Sequence, residues 1–278
     1  NYHFQPQPMH HTKRTPVSIE FIQGIRSPIR LGSDVFNEGN LSKSKLDQVI
    51  ETIREYKKVF KENSISHYEI VATSAFRDTS NSEDARRYIE TAINHPLRVI
   101  SGLEEAKLIR FHPNSNTGKN KIFVDSGGGS TEFFIRNKED TIIRSFQLGA
   151  VRNMLKRDEK EEWQRLEEWL QSIKSKKKLI GIGGNIRSFL NSQGSKEMPI
   201  NEFIKKSERL LKLDTEEKIK KYKFSPDRAD VIDPALQIYK FIAEQLEIQT
   251  ITSTKWGISD SIAIKLFHEI YSSKITIS

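Results

Sequence analysis

The sequence contains no cysteine. A disulfide framework, a thiolate metal site and a cysteine nucleophile are therefore excluded, and a reducing cytoplasm is the compartment such a chain is expected to suit. No apolar run approaches membrane-spanning length, and no charged-then-apolar leader opens the chain, so neither a membrane nor a secretory address is expected. The first residue is Asn1 and not Met, which sets up the expectation of a trimmed or incomplete beginning. Aromatic residues are not interleaved with the lysine runs at Lys174–Lys178, Lys205–Lys206 and Lys218–Lys223. A single-strand nucleic-acid platform needs that interleaving, so nucleic acid is not expected as a partner.

What is present points elsewhere. The 278 residues fit two domains or one large α/β unit. With 36% hydrophobic residues, a real core can form and global disorder is excluded. Lys and Arg number 45 against 37 Asp and Glu, a net +8 that favours polyanionic partners.

The stretch Lys121–Arg136, KIFVDSGGGSTEFFIR, organises the chain. Two apolar runs, Ile122–Val124 and Phe133–Ile135, flank a turn of small polar residues, the pattern of a β-hairpin. Gly127, Gly128 and Gly129 let backbone approach a ligand closely. Successive N–H groups in such a turn make a concavity for an anion, so phosphate is the expected guest. Asp125, ending the first strand, is placed to hold a hydrated divalent cation against that phosphate. Ser130 and Thr131 add hydroxyls, and Glu132 a second carboxylate.

Residues Asn1–Thr15 are polar and aperiodic and read as a loop or tail; His3, His10 and His11 find no carboxylate or cysteine to complete a metal site. Val17–Ile22 and Ile25–Leu31 read as strands around Gly24, with Gly32 ending the second. Ser42–Phe60 reads as a helix, capped by Ser42, with Leu46, Val49, Ile50 and Ile53 on one face. A strand His67–Thr73, a turn Ser74–Asn81, a helix Ser82–Ile93, a strand Leu97–Ile100 and a helix from Gly102 to Arg110 follow. The turn-rich Pro113–Asn120 is the expected domain boundary. Beyond the hairpin come a strand Thr141–Leu148, helices Ala150–Arg157 and Lys160–Ile173, and a strand Lys178–Ile182. That strand runs into a second glycine turn, Gly181–Asn185, which opens a helix. Ile200–Lys223 is mostly helical, Ala235–Leu246 is a helix, Ile248–Ser253 a strand and Gly257–Tyr271 a last helix. Two successive βββαβαβα-like halves resemble the actin, sugar-kinase and heat-shock-ATPase fold. That resemblance implies an α/β protein of two RNase H-like domains, 1–113 and 114–278, with a ligand cleft between them and the last helix packing back on the first domain.

Six blocks sharpen the resemblance. Ala72–Asp78 with Asn81 is similar to the ATSAxRxxxN block of the exopolyphosphatase/guanosine pentaphosphate phosphohydrolase (Ppx/GppA) family. Ile100–Ile109 is similar to its ISGxEEARLI block and Val124–Phe133 to its DIGGGSTEL loop. Leu148–Arg152 resembles LGAVR, Gly181–Asn185 resembles GxGGT, and Arg228–Ile232 matches RADVI. The resemblance implies hydrolysis of a terminal phosphate from polyphosphate or pppGpp, with Mg²⁺ as cofactor. It implies Glu105 as the base that activates water, and Mg²⁺ at Asp125 with Glu132 as a further carboxylate. Gly127, Gly128, Gly129 and Ser130 would cradle phosphate, Arg77 would clamp its oxygens bidentately, and Gly183 and Gly184 would serve the other end of the ligand. Glu104 is turned about 100° around the helix from Glu105, so only one of the two is expected to face the phosphate, and complementing the helix dipole is the alternative for the pair. Arg77 paired with Asp78 or Glu83 is the alternative for that residue. Arg228 and Asp230 are expected to form a structural ion pair.

The sequence departs from the family in four places. The first phosphate hairpin, DxGSNS, is not seen; Ser126 stands where the family has Ile, Asn185 where it has Thr, and the segment Trp256–Ser261 lacks the Arg of GLREG. The expectation is a cytoplasmic, two-domain phosphohydrolase, with a homodimer as its expected assembly. The rivals are a sensor of the same fold that binds (p)ppGpp or polyphosphate without hydrolysing it, and a kinase-like ATPase.

Overall fold

The computed structural model describes residues 2–4, 19–21, 23–116, 120–136 and 140–272. The first half opens with β1 (Tyr2–Phe4) and β2 (Ile19–Phe21), paired antiparallel. The expected N-terminal tail thus contributes a short strand, while His10, His11 and the rest of that stretch lie outside the described residues. Helices α1 (Leu31–Glu38) and α2 (Lys43–Glu62) follow, then β3 (Val71–Ala72), α3 (Ser74–Asp78), α4 (Ser82–Ile93), β4 (Arg98–Val99) and α5 (Gly102–Leu108), which runs into a 3-10 turn, Ile109–Phe111.

The second half holds β5 (Lys121–Ser126), β6 (Thr131–Arg136), β7 (Thr141–Phe146), α6 (Ala150–Met154), α7 (Lys160–Ser172), β8 (Lys178–Ile182) and α8 (Gly184–Ser192). After them come β9 (Glu197–Pro199), α9 (Ile200–Leu211), α10 (Thr215–Tyr222), α11 (Pro226–Ala229), α12 (Ile232–Gln245), β10 (Thr250–Ser253) and α13 (Ile258–Ser272). Six strands form one sheet in the order β7-β6-β5-β8-β10-β9. The β5–β6–β7 meander is antiparallel, β8 and β10 join parallel to β5, and β9 closes the edge antiparallel.

Strand alternation sorts the side chains into two cores. Ile122, Val124, Phe133 and Phe146 face the larger one, beneath α7, α8, α9 and α12. Phe123, Phe134, Ile180 and Ile182 face the other way, against Ile109 and Ile258, so α5, the 3-10 turn and α13 cover that face. A third cluster, around Phe36, Leu46, Ile50, Phe76 and Ile89, fills the first half. It also takes in Ala150, Val151, Val231 and Ala235, so α6 and the start of α12 key the halves together. His112 ties the end of the 3-10 turn to the end of β10. Its Nδ1 accepts the Asn114 N–H at 3.0 Å and its Nε2 lies 3.0 Å from Thr254 Oγ1, and burial pushes its pKa down to about 4, so the ring is neutral.

Three expectations fail. No strand follows Gly24: residues 23–30 are irregular and α1 begins where Gly32 was expected to stop one. A Cβ on Gly32 would sit 2.9 Å from Phe36 Cε2, so this glycine makes room for a ring of its own helix. Side chains hold the preceding segment instead, through Arg26 to Asp227 and Arg30 to Asp230. The turn expected at Ser74–Asn81 contains α3, whose Phe76 is buried. Among the described residues, the strands of the first half are the two-residue pairing of β3 with β4 and the β1–β2 ladder. Among the described residues, no helix is long and apolar enough to cross a membrane.

Candidate active site

Asp125 and Glu132 are opposite one another across β5 and β6, and Ser145 is opposite Glu132 on β7. Directly opposed residues share a face, so this row of polar groups occupies the rim of the face covered by α5, one level beyond Phe123, Phe134 and Ile143. Two carboxylates placed this way repel each other. Such an arrangement persists where a cation or a proton offsets it.

Helix α5 supplies the third carboxylate. Ser101 and Glu104 form a capping box, the Ser101 hydroxyl accepting from the Glu104 amide and Glu104 accepting from the Ser101 amide at 2.9 Å. Glu104 also pairs with Arg98 and stays exposed, as its position around the helix required. Glu105 points inward and is buried. The helix reaches the sheet because Gly102 has no side chain: a Cβ there would lie 2.0 Å from Ser145 Oγ. Glu105 Oε2 accepts from Arg77 Nη1 at 3.0 Å, and that guanidinium also donates to the Ile100 carbonyl at 2.8 Å and to Ser130 Oγ at 3.1 Å. Arg77 does not take Asp78 or Glu83; Asp78 pairs with Arg152, and Glu83 with Arg86 and Arg87.

The glycine loop is held from behind. The amides of Ala150 and Val151 donate to the carbonyls of Gly127 and Gly128 at 2.9 and 2.8 Å, and Arg152 Nε donates to the Gly129 carbonyl at 3.0 Å. With those carbonyls turned toward α6, the amides of Gly128, Gly129 and Ser130 make no hydrogen bond among the described residues. Gly149 permits the contact, since a Cβ there would lie 2.5 Å from Gly128 and Gly129 backbone atoms. Behind Asp125, Tyr239 Oη donates toward the carbonyls of Ile182 and Val124, 3.0 and 3.3 Å away, fixing the ends of β8 and β5. Ser126 is buried with its hydroxyl 3.2 Å from that of Thr131.

The second glycine turn meets the first at Asp125. Gly183 has φ +94°, a conformation that favours glycine, and a Cβ on it would lie 3.1 Å from Asp125 Oδ1. Gly184 starts α8, and a Cβ on it would lie 2.5 Å from Arg228 Nη2. The expected Arg228–Asp230 pair does not form: Asp230 is taken by Arg30 at 2.5 and 2.8 Å, while Arg228 donates to Asn185 Oδ1.

Asp125, Glu132, Glu105, Ser130, Arg77 and the Gly127–Gly129 loop therefore share one neighbourhood, and Gly183 joins it through Asp125. A cavity of ≈ 390 Å³ bounded by Arg77, Ser101, Gly102, Ser130 and Ser145 opens there. Arg77 and Ser130 are the grouped residues that line it, while Glu105, Asp125, Glu132 and the glycine loop lie outside its lining; a larger cavity of ≈ 490 Å³ between α2 and α13 contains none of them. Burial, then the charge of Glu105, pushes Asp125 up to about 7. Burial, then Glu105 and Asp125, pushes Glu132 well above the usual carboxylate range against the hydroxyls of Ser130 and Ser145. Burial also raises Glu105, against the pull of Arg77. Three carboxylates thus face a single guanidinium. Among the described residues, no three acidic or histidine groups form a ready-made cage. Hard oxygen donors and uncompensated negative charge fit Mg²⁺, which uses one or two carboxylates together with waters and phosphate. Sequence reasoning assigned no role to Gly102, Ser145, Gly149, Arg152 or Tyr239. Gly149 and Arg152 lie in a block quoted for its resemblance, and Ser145 was findable only from register.

The model of the Ppx/GppA phosphatase family matches residues 12–269. This chain belongs to the Ppx/GppA phosphatase family. As a member it is a phosphohydrolase. A Ppx/GppA family member of Aquifex aeolicus superposes with a TM-score of 0.71 at 22% identity, covering 92% of this chain and 91% of that one. An exopolyphosphatase from Cytophaga hutchinsonii does so with a TM-score of 0.76 at 19% identity, covering 87% and 88%. Likeness at such identities is likeness of fold, and the fold is the expected α/β architecture of two RNase H-like domains, of the actin, sugar-kinase and heat-shock-ATPase type.

Proposed function

We propose that this Ppx/GppA phosphatase releases terminal phosphate from inorganic polyphosphate, converts pppGpp to ppGpp, or does both, with Glu105 as the base. The observation that supports this most is the meeting of Glu105 from α5 with Asp125 and Glu132 on the sheet rim, beside a glycine loop whose amides make no hydrogen bond among the described residues. The amides of Gly128, Gly129 and Ser130 and the Arg77 guanidinium hold the oxygens of the terminal phosphate. Asp125, with Glu132 beside it, would hold Mg²⁺, which when bound offsets the negative charge of carboxylates and phosphate. Glu105, its basicity raised by burial, takes a proton as a water oxygen bonds to the terminal phosphorus. The bridging P–O bond breaks, and the shortened chain leaves with the electron pair. Arg77 positions Glu105 from α3 and orients the phosphate at Ser130.

Phosphate release from polyphosphate and from pppGpp, each with Mg²⁺ and with EDTA, tests the proposal. Mg²⁺-dependent release from either supports it. Tight binding of both with no release from either would overturn it in favour of a sensor.

A further inference from the structure

Helix α3 is five residues long and belongs to the first half, yet three of its side chains converge on the tip of the glycine loop. Ser74 sits against Gly129, where a Cβ would come within 2.7 Å of its Oγ. Arg77 donates to Ser130 Oγ and to Glu105. Asp78 reaches the same tip through Arg152: Nη2 of that guanidinium donates to the Asp78 carboxylate, and its Nε donates to the Gly129 carbonyl at 3.0 Å. The guanidinium lies over the Phe36 ring, 4.3 Å from its centroid, and the Arg152 and Asp78 side chains are only 11% and 17% exposed. Burial raises the Asp78 pKa in spite of both arginines. Desolvation offsets much of what such a pair gains, so its contribution lies in geometry.

A trans peptide is planar, and its C=O points opposite to the N–H of the next residue. Each loop carbonyl gripped from behind therefore aims the following amide forward. For Gly127 and Gly128 the grip comes from the main chain of α6, through the amide of Ala150 and those of Val151 and Arg152. The Gly129 carbonyl is instead held by a side chain, so the direction of the Ser130 amide depends on where the Arg152 guanidinium rests. A long arginine side chain keeps one position where its planar fork is fixed at more than one point. Phe36 and Asp78 supply those points.

We infer that Asp78 is a positioning residue for the glycine loop: acting through Arg152, it fixes the Gly129 carbonyl and so aims the Ser130 amide at the terminal phosphate. This rests on the reading that the loop amides hold that phosphate. Consecutive residues of α3 then set the base and the cradle together, Arg77 through Glu105 and Asp78 through the Gly129–Ser130 peptide. Asp78 also lines the ≈ 390 Å³ cavity, so direct action of its charge on the substrate is the competing account.

The test compares wild type with Asp78→Asn, Arg152→Met and the double variant. Melting temperature is followed in EDTA without anion, with orthophosphate and with tripolyphosphate. Phosphate release from polyphosphate and from pppGpp is followed with Mg²⁺, well below melting. Both anions are expected to raise the wild-type melting temperature, and each single variant to lose at least half of that rise. A purely structural role would lower every melting temperature alike and leave the rise unchanged. In each single variant kcat is expected to fall about tenfold or more, with KM changed less than about threefold, because the amide supports charge on the phosphoryl group as it transfers. The double variant is expected to match Arg152→Met within about twofold, since Asp78 acts only through that residue. An unchanged anion response with unchanged kcat in Asp78→Asn would overturn the proposal. Losses that multiply in the double variant would overturn it too, in favour of direct action on the substrate. Should the wild type release no phosphate from either substrate, the reading of the reaction fails, and the melting comparison alone decides the role of Asp78. If Asp78→Asn does not fold, Arg152→Met with and without Asp78→Asn carries the decision, because no guanidinium is then left buried alone: equal values support the proposal and a further loss overturns it.

Discussion

The two glycine turns share a backbone device and differ in charge. Both follow neighbouring parallel strands, β5 and β8, which are paired through Asp125 and Ile182. One is a hairpin tip ringed by Asp125, Glu132 and Glu105; the other opens α8 under Arg228 and Arg187. Their surroundings differ in sign: carboxylates outnumber the Arg77 guanidinium at the first turn, whereas Arg228 and Arg187 stand over the start of α8.

The strongest way to break this comparison is to remove the acid at the first turn. Asp125→Asn is expected to lower Mg²⁺-dependent phosphate release at least 100-fold, about 3 kcal/mol in the barrier. In EDTA the same variant has a second signature. The folded-state pKa of Asp125 is raised to about 7, above its ordinary value of 3.8. The favourable neutral form is then fully present below the lower value and lost as pH rises through the upper one. Wild-type stability therefore declines between these limits, by about 4 kcal/mol at most. Asp125→Asn flattens that decline in thermal melts, so the variant outlasts wild type at pH 8 and equals it near pH 4. Identical pH profiles would deny Asp125 its strained charge.

Next in size is Gly149→Ala. Its Cβ would enter the Gly128–Gly129 backbone, and relief of such a clash costs about 1–3 kcal/mol. Because the strain falls on the loop, phosphate release should drop together with melting temperature, whereas a change confined to the second turn should leave the loop's response to orthophosphate intact. The smallest effect is expected from Arg26→Met. Its ion pair with Asp227 is solvent-exposed on the arginine side, so its loss costs about 0–1 kcal/mol. The tripolyphosphate response should survive, which separates an exposed ion pair from that of Asp78 with Arg152.

The sequence carried the strongest elements of this picture for identifiable reasons. The β5–β6 hairpin was legible because its apolar runs and its glycine tip differ sharply in composition, and α2 because Ser42 caps a regular apolar stripe. Helix α1 was hidden: Gly32 reads as a terminator unless one knows that Phe36 packs over it. The edge strand β9, three residues ending in Pro199, is too short and polar to show alternation. At the site, helix geometry showed only that Glu104 and Glu105 diverge; the choice of Glu105 came from the resemblance, and the capping box that holds Glu104 leaves Glu105 buried. The partners of Arg228 were not legible, because Asp227 and Asp230 are drawn away by Arg26 and Arg30, some two hundred residues earlier in the chain. Long-range pairing of this kind leaves no local pattern.

Glu105→Gln, assayed for phosphate release and for stabilisation by tripolyphosphate in the same preparation, tests the role of Glu105 most directly. The amide keeps the shape and accepts from Arg77, but it cannot take a proton from water. The expected result is release reduced about 10²–10⁴-fold with the tripolyphosphate response retained. Release at the wild-type rate from a folded Glu105→Gln protein would contradict it.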